Sequence, residues 1–313
     1  MVEDDHGERR RPVALRRVGG KWFPTSAVVA CVVAAIGVTL GGCAGSSAVS
    51  STVDPVAQAA QVSELAAGFK ASLSEEVTPP GSSETIKASG TEVFDKQSQR
   101  SISSIQGSAE GHSFHAETQY SKVALYMRLP SSSQKSSVTH GKPWVKVDLR
   151  GVGAALGINF SALSSQGASS DPAQLLSYLK ATSGQTTRIG TEQVQGLPTT
   201  HYRGTIDYQQ YASKVAPAQR AAASQGIAAL ERLSGTHSQL VDVWVDGQHR
   251  VRREELTFHE CLAGASGPSQ IHVKIEYFDF GVQAIPAVPA SGEVADLTSY
   301  VAEKLKHVKL GCQ

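Results

Sequence analysis

Alternation of apolar and polar residues at a spacing of two constrains this chain more than any other feature. Val123, Leu125, Met127 and Leu129 alternate with Lys122, Ala124, Tyr126 and Arg128. Beyond a Ser-rich turn at 131–137, Val145, Val147 and Leu149 alternate with Trp144, Lys146 and Asp148. Successive strand residues point to opposite sides, so each run predicts a strand with one apolar face, and two such strands joined by a loop are most simply an antiparallel pair. Val241, Val243 and Val245 lead into Asp246-Gly247, and Val251 to Phe258 leads out, which is a hairpin signal. Ile271, Val273, Ile275 and Tyr277 form a further alternating strand. More polar strands are expected at 91–94, 101–105 and 113–119, and others at 187–194 and 199–207 around the turn Gln195-Gly196-Leu197-Pro198.

Helical spacing interrupts this pattern. Asp54-Pro55 supplies an N-cap and a first-turn proline, and Val62, Leu65, Ala66, Phe69 and Leu73 recur at helical intervals, predicting a helix that ends before Pro79-Pro80-Gly81. A broken helix is expected over Gly151 to Leu163, and a capped one after Asp171-Pro172 with Leu175, Leu176, Tyr178 and Leu179 on its buried side. The Ala-rich stretch from Tyr208 to Leu233 is the longest helix candidate, with Tyr211, Val215, Leu230 and Leu233 as its contacts. Pro286 and Pro289 mark an extended segment, and Asp296 caps a closing helix through Tyr300, Val301 and Leu305. The expected class is α+β: one antiparallel sheet covered on one face by helices.

The N-terminus has a different grammar. Arg9, Arg10, Arg11, Arg16, Arg17 and Lys21 precede an uncharged run from Ala27 to Leu40, which closes on Leu40-Gly41-Gly42-Cys43. A basic segment followed by an apolar run shorter than the roughly 20 residues of a bilayer span reads as a secretory signal. A cysteine placed directly after small residues resembles the lipobox of bacterial lipoproteins. The resemblance implies cleavage before Cys43 and acylation of its thiol. The expected organisation is a signal peptide at 1–42, a flexible tether at 43–53 and a single domain at 54–313. A Ser/Gly/Ala tether of that length has a root-mean-square reach of about 17 to 19 Å. The expected location is the extracytoplasmic face of the cell membrane, held through the N-terminal lipid.

Export changes the reading of the cysteines. Cys31 leaves with the signal and Cys43 takes the lipid, so Cys261 and Cys312 remain, either as a disulfide in an oxidising compartment or as two free thiols. A bridge closing a loop of about 50 residues would stabilise the fold by roughly 4 kcal/mol in the chain-entropy description. The chain carries 29 Lys and Arg against 28 Asp and Glu, so it lacks the basic excess of a nucleic-acid binder. Arg250, Arg252 and Arg253 alternate with Val251 and Glu254, as on a solvated strand face.

Catalytic patterns are missing from the sequence. His112 and His115 point to opposite sides of a strand, and the adjacent ligand types His259-Glu260-Cys261 cannot converge on one ion without a sharp turn. Glu254 and Glu255 face apart, and neither a G-x-S-x-G elbow nor a glycine-rich phosphate cradle occurs. Neither an enzyme, a cofactor nor a metal is expected. What remains is apolar: a wide sheet closed by thin, Ala-rich helices leaves room for volume between the layers.

Asp171-Pro172-Ala173-Gln174-Leu175-Leu176, followed by Gly190 to Gly204 with its Gln195-Gly196-Leu197-Pro198 turn and His201-Tyr202, resembles actinobacterial lipoproteins of the LppX and LprG type. The Val243-Trp244-Val245-Asp246-Gly247 hairpin and the end segment Pro286 to Leu297 fall in the same order. That family is similar to the LolA and LolB carriers, so the resemblance implies a curved antiparallel half-barrel whose helices cover an apolar cavity. It implies a lipid, glycolipid or acylated ligand. An envelope transporter or other protein is the expected partner, and the chain is expected to be a monomer. His201 and Tyr202 are read as packing residues. The expected walls are Val123, Leu125, Met127, Val145, Val147, Val243, Val245, Ile271, Val273 and Ile275. The competing expectation is an envelope surface module with a solid core that binds a protein partner or senses the envelope.

Overall fold

The computed structural model describes residues 55–82, 85–109, 112–134, 137–156, 186–210, 220–221, 224–225, 227–228, 231, 235–260 and 267–306. The lipobox residues Leu40, Gly41, Gly42 and Cys43, the pair Cys261 and Cys312, and the helix expected after Asp171 all lie outside the described residues.

Helix α1 (Pro55–Glu64) precedes strands β1 (Gly68–Thr78), β2 (Ile86–Asp95), β3 (Arg100–Ala109), β4 (His112–Ser121) and β5 (Ala124–Arg128). A helical turn α2 (Ser131–Gln134) leads to β6 (Trp144–Asp148) and α3 (Leu149–Leu156). Then follow β7 (Thr187–Val194), β8 (Leu197–Asp207), β9 (Ser238–Asp246), β10 (Val251–Glu260), β11 (Ser269–Phe278), β12 (Val294–Asp296) and α4 (Thr298–Leu305). The twelve strands among the described residues join one sheet in the order β12-β6-β5-β4-β3-β2-β1-β11-β10-β9-β8-β7. Every pairing is antiparallel except β12 on β6. The sheet is open, with β12 and β7 at its edges, and twisted sheets this wide curl.

The expected strands are all present, including the polar ones that became β2, β3 and β4. The first helix is the main correction. It was expected to continue through Phe69 and Leu73, but it stops at Glu64, and both residues lie on β1. Phe69, Ala71, Leu73 and Val77 also fit a spacing of two, and β1 is hydrogen-bonded on both sides, to β2 and to β11. Ladders on two flanks supply more partners than one helix could, so tertiary pairing decides an ambiguous pattern. Gly68 marks the switch: a Cβ there would lie 2.4 Å from the Phe94 carbonyl oxygen.

Residues described between 208 and 231 are helical, as expected for that stretch, but Tyr211, Val215, Leu230 and Leu233 lie outside the described residues. The turn after β7 is tighter than expected. Gln195 and Gly196 both take positive φ, and β8 begins at once with Leu197.

Register assigns each strand an inner and an outer face. Phe69, Ala71, Leu73, Glu75 and Val77 of β1 align with Phe94, Glu92, Gly90, Ala88 and Ile86 of β2, and Tyr277, Ile275, Val273 and Ile271 of β11 continue the same side. Among the described residues this inner face carries two buried apolar clusters, called cores below. The first joins Val56, Ala59 and Ala60 of α1 to Phe69, Phe94, Ile206, Val241, Val243, Val245, Leu256, Ile275 and Tyr277. The second, at the opposite end of the strand order, packs Met127, Leu129 and Val145 against Ala295 and Leu297. Between them the inner face of β2, β3 and β4 presents small residues: Ala88, Gly90, Ser101, Ser103, Gly107, Ala116 and Thr118. Smallness there is needed, because a Cβ on Gly90 would sit 2.3 Å from the Ser104 carbonyl oxygen.

Candidate apolar binding face

Burial along the inner face is graded. At one end Phe69, Ala71, Phe94, Ser101 and Tyr277 are buried. Further along these strands and on the neighbouring β4 and β10, Leu73, Val77, Ile86, Ala88, Gly90, Ile105, Gly107, Ala116, Val273 and Phe258 are only half-buried, and Phe114 is exposed. They form a contiguous, mostly apolar strip over β10, β11, β1, β2, β3 and β4. It lies between the two cores and grows more open toward the β3–β4 turn. Apolar surface shared by six strands and reached by solvent is the feature of this molecule best suited to an apolar ligand.

The closed end has identifiable causes. Phe69 packs on Phe94 and Tyr277 with ring centroids 5.3 Å apart in each case. Phe280 joins them, and Arg250 and Arg252 each stand 5.1 Å above its ring. Arg252 does not lie on a solvated face as expected. A register shift between Val251 and Arg253 turns it inward, where its Nε donates to Asp246 Oδ2 at 2.7 Å. Asp246 also accepts the backbone N–H groups of Gln248 and Arg250, so it organises the whole β9–β10 turn. Burial pushes the Asp246 carboxyl up, but these hydrogen bonds and the Arg252 charge outweigh burial and hold it below the usual range.

Eight of the ten expected wall residues are buried, namely Leu125, Met127, Val145, Val147, Val243, Val245, Ile271 and Ile275. Met127 and Val145 belong to the second core, and Val243, Val245 and Ile275 to the first. Val123 and Val273 are half-buried, and Val273 lies on the accessible strip. Sequence reasoning missed Ala88, Gly90, Gly107 and Ala116 because they are small, and Leu73 and Val77 because β1 also fits helical spacing, while Ile86, Ile105, Phe114 and Phe258 are lone large apolar residues among polar neighbours or at strand ends. The signal was present in the alternation Phe69, Ala71, Leu73, Val77. The polar character of β2 to β4 is accommodated in two ways. Ser89, Thr91, Ser104 and Gln106 face outward, while the inward Ser103 and Thr118 hydroxyls bond each other at 2.6 Å.

The outer face is polar and cross-linked. His201 stacks on Trp244, with Nδ1 3.0 Å from Glu192 Oε1 and Nε2 2.6 Å from Asp242 Oδ1. The Trp244 indole donates to Glu192 Oε2, and with His201 and Arg253 it holds the Glu192 carboxyl below the usual range. Both ring nitrogens of His201 are engaged by carboxylates, so neither is available to a substrate or nucleophile. The cluster ties edge strand β7 to β8 and β9. Tyr202, its neighbour in sequence, points inward and packs against the first core. A hollow of about 340 Å³ on the outer face is lined chiefly by Ser72, Ser74, Ser89, Thr91, Lys274 and Glu276, a polar set unsuited to acyl chains. As expected, Glu254 and Glu255 face apart, Glu254 fully buried on the inner side. Among the described residues no helix is long and apolar enough to cross a membrane.

No family model matches the chain. A Streptomyces griseus protein described as an uncharacterized 31.2 kDa protein in the rplA-rplJ intergenic region is 26% identical over 257 residues, covering 79% of this chain and 80% of that protein. Among solved structures, LprF from Mycobacterium bovis is similar over 77% of this chain and 99% of its own, with 13% identity and a TM-score of 0.39. The Mycobacterium tuberculosis lipoprotein LppX is similar over 74% of this chain and 95% of its own, with 11% identity and a TM-score of 0.39.

Proposed function

We propose that this chain is a lipid-anchored envelope protein that binds an acyl-chain ligand along the accessible strip of its inner face. The observation that carries the reading is the half-buried row Leu73, Val77, Ile86, Ile105 and Val273, apolar side chains on four adjacent strands, of which Leu73 and Val273 lean on the margin of the first core and still keep part of their surface in solvent. Each methylene moved from water onto such a surface contributes about 0.8 kcal/mol, so chain length alone supplies affinity and no covalent chemistry is required. Attachment through Cys43 and a short tether would keep the body within the headgroup zone, which suits local loading or retention of a lipid better than transport across the envelope. A Cys261–Cys312 bridge belongs to the same proposal, since export would place both thiols in an oxidising compartment.

The test is native mass spectrometry of the protein recovered from membranes, beside a Cys43→Ser form that cannot be acylated. The expected result is an anchor mass present only in the first, and a stoichiometric, dissociable lipid on both. Apo masses alone, together with no binding of added cis-parinaric acid, overturn the reading.

A further inference from the structure

Glu75 stands in the middle of the apolar strip. It lies opposite Val273 on one side and Ala88 on the other, between Leu73 and Val77 along its own strand, and Leu256 is the next residue across. Among the described residues its carboxylate meets neither a hydrogen-bond donor nor a cation, unlike its outward neighbour Glu76, which pairs with Lys87 Nζ at 2.8 Å. Desolvation by burial is what acts on it, and it pushes the carboxyl above its ordinary 4.5. A half-buried carboxylate set among aliphatic side chains without a described partner carries a desolvation cost, and a bound hydrogen-bond donor would offset it.

We propose that Glu75 is the polar contact of the acyl-ligand site, and that it selects amphiphiles whose head donates a hydrogen bond, a hydroxyl or an amine, over those with an anionic head. The inference rests on the carrier reading above and adds the chemistry of the head. With the chain laid over Leu73, Ile105 and Val273, a donor at the depth of Glu75 gains a charge-assisted hydrogen bond in a poorly solvated place. A carboxylate or phosphate at the same depth meets a like charge and finds no described cation there to offset it.

The test uses the full-length Cys43→Ser protein and displacement of a bound fluorescent fatty probe at neutral pH by three eighteen-carbon amphiphiles: oleylamine, oleyl alcohol and oleate. Oleylamine and oleyl alcohol are expected to displace the probe at least about tenfold more tightly than oleate, the scale of one charge-assisted hydrogen bond. In Glu75→Gln that preference is expected to fall to within about twofold, while Glu76→Gln on the outer face keeps it. Wild-type indifference to the head, or a preference unchanged in Glu75→Gln, overturns the inference and leaves the carrier reading standing. Failure of all three amphiphiles and of the probe to bind any form overturns the carrier reading, and this inference with it.

Discussion

The two ends of the inner face are built on the same strands and face the same way, yet they differ in two physical respects. At the closed end the side chains are large and interlocked. Phe69 contacts three aromatic rings, and Asp246, one of several buried carboxylates, accepts backbone N–H groups and the Arg252 guanidinium. At the open end Leu73, Val77 and Ile105 are half-buried, and the carboxylate, Glu75, is met by no described donor. Alternation alone therefore does not decide whether an apolar face becomes core. Side-chain size and the satisfaction of polar groups decide it.

The largest effect should come from the aromatic end. Phe69→Ala removes a ring that is 2% exposed and touches Phe94, Tyr277 and Phe280, so a loss of about 3 to 5 kcal/mol is expected in urea denaturation. Leu73→Ala, two residues away on the same face, should cost about 1 kcal/mol, because its side chain is partly solvated already. The same substitution should weaken binding of an acyl probe. If Leu73→Ala destabilises as much as Phe69→Ala, the open end is packed core and the distinction between the ends collapses.

Next in size is the ion pair of the closed end. Asp246→Ala strips the β9–β10 turn of its acceptor and leaves Arg252, itself 8% exposed, without its carboxylate, so a loss of about 3 kcal/mol is expected. The pH dependence has a definite sign. Because the folded protein holds Asp246 below its ordinary 3.8, its contribution is complete above that value and is lost as pH falls below it. Acid titrations of stability for wild type and Asp246→Ala should therefore converge at low pH. Parallel curves would mean that the carboxylate is not what stabilises the turn.

Most of the architecture could be read from the sequence, and its failures are instructive. The β5–β6 pair, the β9–β10 hairpin and β11 announce themselves because Val, Leu and Ile alternate with polar residues over several steps. β1 did not, since Leu65, Phe69 and Leu73 also fit helical spacing, and only pairing to β2 and β11 resolves the ambiguity. Arg252 was misplaced because one bulge reverses which side a residue faces, and bulges leave little trace in composition. The accessible strip was hidden for a related reason. Its floor of Ala88, Gly90, Gly107 and Ala116 has low hydrophobicity residue by residue, and it becomes a surface only when three strands are laid side by side.

The smallest effect is the most discriminating between the two ends, because its sign is reversed. Folding pushes Glu75 above its ordinary 4.5, so the folded state binds the proton more tightly than the unfolded chain does. At pH below 4.5 the group is protonated in both states and contributes nothing to the balance. As pH rises from there through the raised folded value, the cost of ionising Glu75 in the half-buried strip progressively destabilises the fold relative to the unfolded chain, the opposite direction to Asp246. Glu75→Gln removes that ionisation. The variant should match wild type in acid, become the more stable of the two toward neutral pH, and gain less there than Phe69→Ala or Asp246→Ala loses. A neutral-pH loss of stability in Glu75→Gln would mean that the carboxylate is satisfied in the folded protein, and the two ends would then differ in side-chain size alone.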